Sequence, residues 1–297
     1  MQELPTFDPR TRTGAVTLTV NDLERLAGFY GEAVGLATLA LDARVAVLGT
    51  PGGEPLLVLR EDRDAAPAPS SAAGLYHTAF LLPTRRDLAM WVSHAAQLNL
   101  RVGAGDHLVS EAFYLSDPEG NGIEVYADRP RETWRVTGTQ VAMDTLPVNV
   151  PDLLRELDAA PGAWDGAPDG STVGHVHLRV NDLGQSRAFY EGVIGLDVVN
   201  DAYPGALFVS AGGYHHHLGM NVWHTRDGNP APAGSRGLSR YTLLVPGEEQ
   251  ERQVAERLRA ARYEASESPL GIVTRDPSGN RLLLSGRRPD AAAWLAL

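Results

Sequence analysis

Near the start of the chain, the spacing of hydrophobic residues changes from that of a strand to that of a helix. The segment GAVTLTV (14–20) alternates hydrophobic and polar positions, as a half-buried strand does. Leu23, Leu26 and Tyr30 then recur at the spacing of one helix face, and Gly35 can end the helix. The runs RVAVLGT and PLLVLRE read as strands around the turn-forming PGGE. The pattern therefore predicts a βαβββ unit.

The chain contains this unit more than once. VNDLERLAGFYGEAVGL (20–36) and VNDLGQSRAFYEGVIGL (180–196) share Val-Asn-Asp-Leu, Phe-Tyr and Gly-Leu in one register. DPEGNGIEV (117–125) and DPSGNRLLL (276–284) likewise share Asp-Pro and Gly-Asn. Such internal repetition indicates a duplicated architecture. Four βαβββ units are predicted, at about 14–62, 74–128, 173–224 and 237–286.

The repeats divide the chain into two halves. We expect an N-terminal domain over 1–130, formed by the first two units, and a second domain of the same kind over 173–297, formed by the other two. The segment 131–172 between them is rich in Pro, Gly and Asp and is predicted to be a linker.

Composition narrows the function classes. The 297 residues carry a net charge of −11 and no basic run, which argues against nucleic acid or an anionic membrane as a partner. No segment resembles a secretory signal, and none reaches the roughly 18 apolar residues of a membrane span, so a cytoplasmic protein is expected. The chain has no Cys, so a bound metal would need His, carboxylate or other oxygen ligands.

Four βαβββ units with the NDL…FYxxxxGL and DPxGN motifs resemble the vicinal-oxygen-chelate superfamily. Its members include glyoxalase-like proteins, bleomycin-resistance proteins and extradiol dioxygenases. The resemblance implies an α+β fold in which pairs of units form two cupped sheets, a cupped sheet being the element that encloses a divalent metal. It also implies that metal ligands come from the first strand of each paired unit and from the last strand of one or both.

Aligning the four units shows which of them offer ligands at those positions. His77 and His175 fall on first strands of the second and third units, and Glu124 falls on the last strand of the second. These three residues are the predicted metal ligands. The equivalent positions of the first and fourth units hold residues that cannot bind a metal: Ala15, Arg240 and Leu283.

Two His and one carboxylate form the facial triad of non-haem Fe(II) oxygenases, which leaves three coordination positions open. The segment GDHLVSEAFYLSDPEGNGIEVYAD (105–128) resembles the iron-proximal segment of catechol 2,3-dioxygenases. The resemblance implies that Tyr114 is a catalytic group that binds a substrate oxygen, and that His107 contacts substrate.

The run YHHHLGM (214–220) resembles the strand that carries the acid–base histidine of extradiol enzymes. The register assigns that role to His216 and places His215 and His217 on the opposite face of the predicted strand. A shift of one residue would move the role to a neighbour. His177, two residues after His175, shares its face and is predicted to contact substrate, as is His217.

The resemblance to the two-domain catechol 2,3-dioxygenases implies an Fe(II) enzyme, with Mn(II) as the alternative metal. Such an enzyme inserts O2 beside the diol of a catechol and yields a 2-hydroxymuconic semialdehyde. One alternative is a metal-dependent glyoxalase- or epimerase-like isomerase or lyase, which commonly has a fourth protein ligand. Another is a non-enzymatic bleomycin-resistance-type binding protein, which lacks the triad. The expected partners are a catechol and O2. The sequence leaves open whether the protein forms a homo-oligomer.

Overall fold

Two mixed sheets dominate the computed structural model, which describes residues 7–159 and 162–296. Residues 1–6, 160–161 and 297, which the predicted domain and linker ranges include, lie outside this description. The first unit comprises β1 (Arg12–Thr13), β2 (Val16–Val20), α1 (Leu23–Phe29), β3 (Ala37–Leu41), β4 (Val45–Gly49) and β5 (Pro55–Glu61). The second comprises β6 (Gly74–Leu81), α2 (Arg85–Gln97), β7 (Gly103–Asp106), β8 (Ser110–Ser116) and β9 (Gly122–Asp128).

The connection between the halves is partly ordered into short elements. It contains a 3₁₀ turn (Arg131–Thr133), β10 (Val136–Thr137), β11 (Gln140–Val141), α3 (Val150–Leu154) and α4 (Glu156–Ala159). The third unit comprises β12 (Thr172–Arg179), α5 (Leu183–Phe189), β13 (Asp197–Asn200), β14 (Ala206–Ser210) and β15 (Leu218–Asn221). The fourth comprises β16 (Gly237–Leu244), α6 (Glu248–Ala260), β17 (Ser266–Ser268), β18 (Gly271–Arg275) and β19 (Arg281–Ser285), followed by α7 (Ala291–Leu295).

Each sheet combines one unit from each half of the chain. The nine-stranded sheet has the order β17-β18-β19-β16-β2-β5-β4-β3, with β1 also on β16, so it joins the first and fourth units. The eight-stranded sheet has the order β13-β14-β15-β12-β6-β9-β8-β7 and joins the second and third. Each of these two sheets therefore contains strands from both predicted domains, 1–130 and 173–297, so the sheets and the predicted domains do not coincide.

The two repeated motifs meet inside each half. Helices α1 and α5 each continue into a π-helical turn that begins at Tyr30 or Tyr190. The Tyr30 hydroxyl donates to Asp117 Oδ2 at 3.0 Å, and the Tyr190 hydroxyl donates to Asp276 Oδ2 at 2.9 Å. The FY motif of one unit thus binds the DPxGN turn of the next, which ties together units that lie in different sheets.

Apolar side chains fill the cup of the nine-stranded sheet. Ala15 and Leu283, which take the places of metal ligands, are buried in a cluster with Val58 and with Trp294 of helix α7. Most other buried apolar residues from both sheets and the helices belong to one large shared cluster. In the described part of the chain, no helix is long and apolar enough to cross a membrane.

We expect Trp294→Ala to lower the free energy of unfolding by about 3 kcal/mol, because truncating a fully buried aromatic residue leaves a cavity. Urea denaturation checks the size of the loss, and the metal content of the variant should stay normal because this cluster belongs to the other sheet. A loss below about 1 kcal/mol, which is what the removal of a single buried methyl group costs, would contradict a packing role for helix α7.

Candidate active site

Three ligand-capable side chains converge on the cupped face of the eight-stranded sheet. His77 lies on β6, Glu124 on β9 and His175 on β12. Glu124 and His175 are the cross-strand partners of Ala79, on either side of β6, and His77 lies two residues before Ala79 on the same face. The small Ala79 side chain leaves room for the two larger ones to approach across it. All three ligand atoms lie within 4.8 Å of one another.

The three side chains are buried and suited to a metal. Glu124 Oε2 lies 2.9 Å from His77 Nε2 and 3.1 Å from His175 Nε2. The first of these contacts lacks hydrogen-bond geometry, so His77 Nε2 is a buried ring nitrogen without a hydrogen-bond partner among the described residues. A divalent cation between the two imidazoles and the carboxylate would satisfy that nitrogen.

The protonation states also fit. Burial lowers the pKa of His175 to about 4, which leaves the imidazole neutral at neutral pH. Burial raises the pKa of the Glu124 carboxyl, but His175 and His77 outweigh it and hold that pKa well below its usual value. Metal ligation needs an unprotonated imidazole and an ionised carboxylate, and both are present here.

A cavity of about 520 Å³ opens above the three ligands. Tyr76, Tyr203, Phe208 and Trp223 supply aromatic walls. Seven of the eight predicted site residues line this cavity: His77, His107, Tyr114, Glu124, His175, His177 and His216. The eighth, His217, is not part of its lining.

Tyr114 and His107 form a hydrogen-bonded pair on the cavity wall. Tyr114 lies opposite Glu124 in the β8–β9 ladder. His107 Nδ1 lies 2.8 Å from the carbonyl oxygen of Asp144, so Nδ1 carries the proton and Nε2 accepts the Tyr114 O–H at 2.5 Å. Burial raises the pKa of Tyr114 well above 10, and Glu124 raises it further, so the hydroxyl stays protonated.

The histidine run differs from the sequence prediction. It precedes strand β15, which begins only at Leu218, and lies in a bent segment after a turn at Gly212 and Gly213. The run is therefore not part of a strand as predicted, although His216 lines the cavity and His215 and His217 do not. His215 Nδ1 instead lies 2.8 Å from His216 Nδ1, a contact that an extended strand would not allow between neighbours.

The hydrogen bonds of His215 determine which nitrogen of His216 carries a proton. His215 Nε2 donates to Asp128 Oδ1 at 2.9 Å, so in neutral His215 the other nitrogen, Nδ1, is an acceptor. His216 Nδ1–H must donate to it, which leaves His216 Nε2 with a free lone pair. Burial lowers the pKa of His216 well below its usual value, so the ring is neutral.

The other two histidines have different surroundings. His217 Nδ1 lies 3.2 Å from the amide nitrogen of Ala211 and 3.0 Å from Ser210 Oγ, so its ring braces the preceding turn rather than contacting the cavity. His177 Nε2 accepts from Asn221 Nδ2 at 3.0 Å and its ring lines the cavity. Of these two predicted substrate contacts, His177 lines the cavity and His217 lies outside its lining.

Two residues near the cavity, Asp128 and Arg179, were missed at the sequence level, as was the hydrogen-bonding role of His215. Asp128 and His215 form the hydrogen-bonded chain to His216, and the sequence brings them together only through the tertiary fold. Arg179 also lines the cavity. A signal for it was present, because the strand HVHLR places His175, His177 and Arg179 at steps of two, on one face.

The chain is similar to known proteins in sequence and in fold. The sequence profile of the Glyoxalase/Bleomycin resistance protein/Dioxygenase superfamily matches residues 12–125 and 172–284. The chain belongs to this superfamily. Within it, the chain is 43% identical over 270 residues to a protein of Bacillus subtilis (strain 168) named catechol-2,3-dioxygenase. The aligned region covers 90% of this chain and 94% of the relative. The predicted class, a catechol 2,3-dioxygenase-like oxidoreductase, is confirmed.

Solved structures share the fold at low sequence identity. A candidate dioxygenase from Bacillus subtilis subsp. subtilis str. 168 is 15% identical, with a TM-score of 0.64 over 92% of this chain and 84% of that one. Glyoxalase I from Zea mays is 14% identical, with a TM-score of 0.56 over 96% of this chain and 94% of that one. The predicted α+β fold with two curled sheets is thereby confirmed.

Proposed function

We propose that this protein is an extradiol dioxygenase that opens the ring of catechol, or of a substituted catechol, beside the diol. Its site would hold Fe(II), with Mn(II) as the alternative, on His77, Glu124 and His175. The observation that carries this proposal is the placement of that buried triad at one cavity with a neutral imidazole, His216, and a protonated hydroxyl, Tyr114. The 43% identity to a catechol-2,3-dioxygenase supports the same reaction.

A metal held by His77, Glu124 and His175 would supply Lewis acidity and open coordination positions for the diol and O2. The protein's own contribution is an aromatic-walled cavity that orients the flat ring. Both oxygen atoms of O2 enter the product, a 2-hydroxymuconic semialdehyde, so catechol and O2 balance the reaction without an external reductant. Protons are the only other species that the protein must move.

His216 is the group we assign to proton transfer. Its Nε2 carries a free lone pair and its ring lines the cavity, so Nε2 takes a proton from one phenolic hydroxyl and later returns it as the ring opens. Asp128 and His215 hold the Nδ1 proton in place, which keeps Nε2 available as the base. Tyr114, anchored by His107, presents its hydroxyl oxygen to the substrate.

The test is the product. We expect the Fe(II)- or Mn(II)-loaded protein to consume one O2 per catechol and to form a yellow semialdehyde, followed as a rise in visible absorbance. A colourless muconate would mean cleavage between the hydroxyls and would overturn the assignment. Metal binding without O2 uptake would favour the isomerase or lyase class, and a protein that retains no metal would favour a binding protein.

A further inference from the structure

Arg179 lies at the far end of the same strand face as two of the site histidines. His175, His177 and Arg179 alternate along β12, so all three side chains point to the cavity side of the sheet. Each two-residue step spans about 6.6 Å, so the Cα atoms of His175 and Arg179 are about 13 Å apart. Arg179 lines the cavity that contains the metal ligands.

Arg179 has no carboxylate partner within ion-pair distance in residues 7–159 and 162–296. Its Nε is buried without a hydrogen bond, and its Nη1 reaches only the carbonyl oxygen of Ser70, at 3.4 Å. The half-buried Arg85 shows the contrast, because it pairs with three carboxylates.

A half-buried guanidinium without an anion is costly, because it gives up hydration and gains no ion pair. Burial accordingly lowers the pKa of Arg179. Its planar donors match a carboxylate in two parallel hydrogen bonds. Gly74, the cross-strand partner of Arg179, has no side chain that could pair with the guanidinium, and Nη2 lies 3.9 Å from the position that a Cβ would take there.

Aromatic side chains connect the two ends of the cavity. The Tyr76 ring packs 5.0 Å from His177 and 5.3 Å from Trp223, measured between ring centroids. All three rings line the cavity together with Arg179. A flat ring whose diol lies at the triad can therefore extend between aromatic walls toward a cation.

We propose that the substrate is a catechol that carries a carboxylate on the side of the ring away from the diol, and that Arg179 binds this carboxylate. The proposal rests on the proposed dioxygenase function and names its substrate class. Arg179 then acts as a specificity-determining residue, which selects anionic catechols over neutral ones of the same shape.

The experiment compares acids with their carboxamides. The probes are 3,4-dihydroxybenzoate, 3,4-dihydroxyphenylacetate and 3-(3,4-dihydroxyphenyl)propionate, each paired with its amide. Anaerobic titration calorimetry on the Fe(II)-loaded protein gives Kd, and O2 uptake gives kcat/KM. We expect at least one acid to bind about 10- to 100-fold more tightly than its amide, as hydrogen bonds to charged groups do. In Arg179→Gln this ratio should fall to near one.

Arg240→Gln is the matched control. Arg240 is also half-buried and without an ion pair among the described residues, but it lies in the other sheet and outside this cavity. Its removal changes the net charge equally and should leave the acid-to-amide ratio intact. The proposal is overturned if no acid is preferred, if the preference survives in Arg179→Gln, or if Arg240→Gln abolishes it as well.

The outcomes also separate this proposal from the function on which it rests. If catechol is cleaved with O2 uptake but no acid is preferred, the substrate class is wrong and the dioxygenase assignment stands. If acids bind through Arg179 but no catechol consumes O2, the anion recognition stands and the dioxygenase assignment is wrong.

Discussion

Replacing His175 with alanine should remove nearly all of the proposed metal and, with it, the proposed ring cleavage. One of three protein ligands disappears, and the remaining His77 and Glu124 cannot hold the metal against solvent. We expect metal affinity to fall by more than about 100-fold, since the loss of a residue that merely supports a ligand already costs about 10- to 100-fold. Metal analysis after desalting and the rate of O2 uptake measure the effect.

The variant should remain folded, because the large core cluster does not include His175. Circular dichroism and thermal unfolding check this point. His224→Ala is the matched control, since this histidine is exposed and outside the cavity, and its variant should keep full iron and full activity. Normal iron content in His175→Ala would show that the metal lies elsewhere.

Replacing His216 with alanine should keep the iron and the catechol affinity yet lower kcat by about 10²- to 10⁴-fold, the contribution of a positioned acid–base group. The split between kcat and binding is decisive, because a variant that merely unfolded would lose both. Steady-state kinetics at saturating catechol and anaerobic binding measurements separate the two quantities.

The neighbouring histidines provide the controls. His217→Ala removes a ring that braces the turn without reaching the cavity, so it should lower thermal stability while kcat per bound iron stays near normal. His215→Ala removes the acceptor for His216 Nδ1–H, so it should lower kcat while sparing iron binding. If His216→Ala keeps near-normal kcat, another group moves the protons.

The three residues of the triad could be predicted because the chain contains four copies of the same unit, which can be compared with one another. His77, Glu124 and His175 lie at the strand positions of the second and third units from which ligands are expected. The equivalent positions of the first and fourth units hold residues that cannot bind a metal. Strand registers preserve such matches, since a one-residue slip would turn every side chain to the other face. The structure accordingly brings these three residues together.

The surroundings of the histidine run could not be predicted in the same way. The local pattern GGYHHHLGM looks like a strand because its flanks are apolar. Gly212 and Gly213 adopt positive φ angles of 61° and 65°, which bend the chain before the strand begins. The bond from His215 to Asp128 joins this bend to the end of β9, and local sequence carries no information on such a contact.

The pairing of the first unit with the fourth, and of the second with the third, affects how the two cupped sheets can diverge in sequence. A protein with only one such half would need a second copy to complete its sheets, and symmetry would give that dimer two identical sites. Any mutation would then alter both sites at once. In the joined chain a mutation changes only one half. The nine-stranded sheet can therefore have apolar residues such as Ala15 and Leu283, packed with Trp294, at its ligand positions, while the eight-stranded sheet keeps its triad.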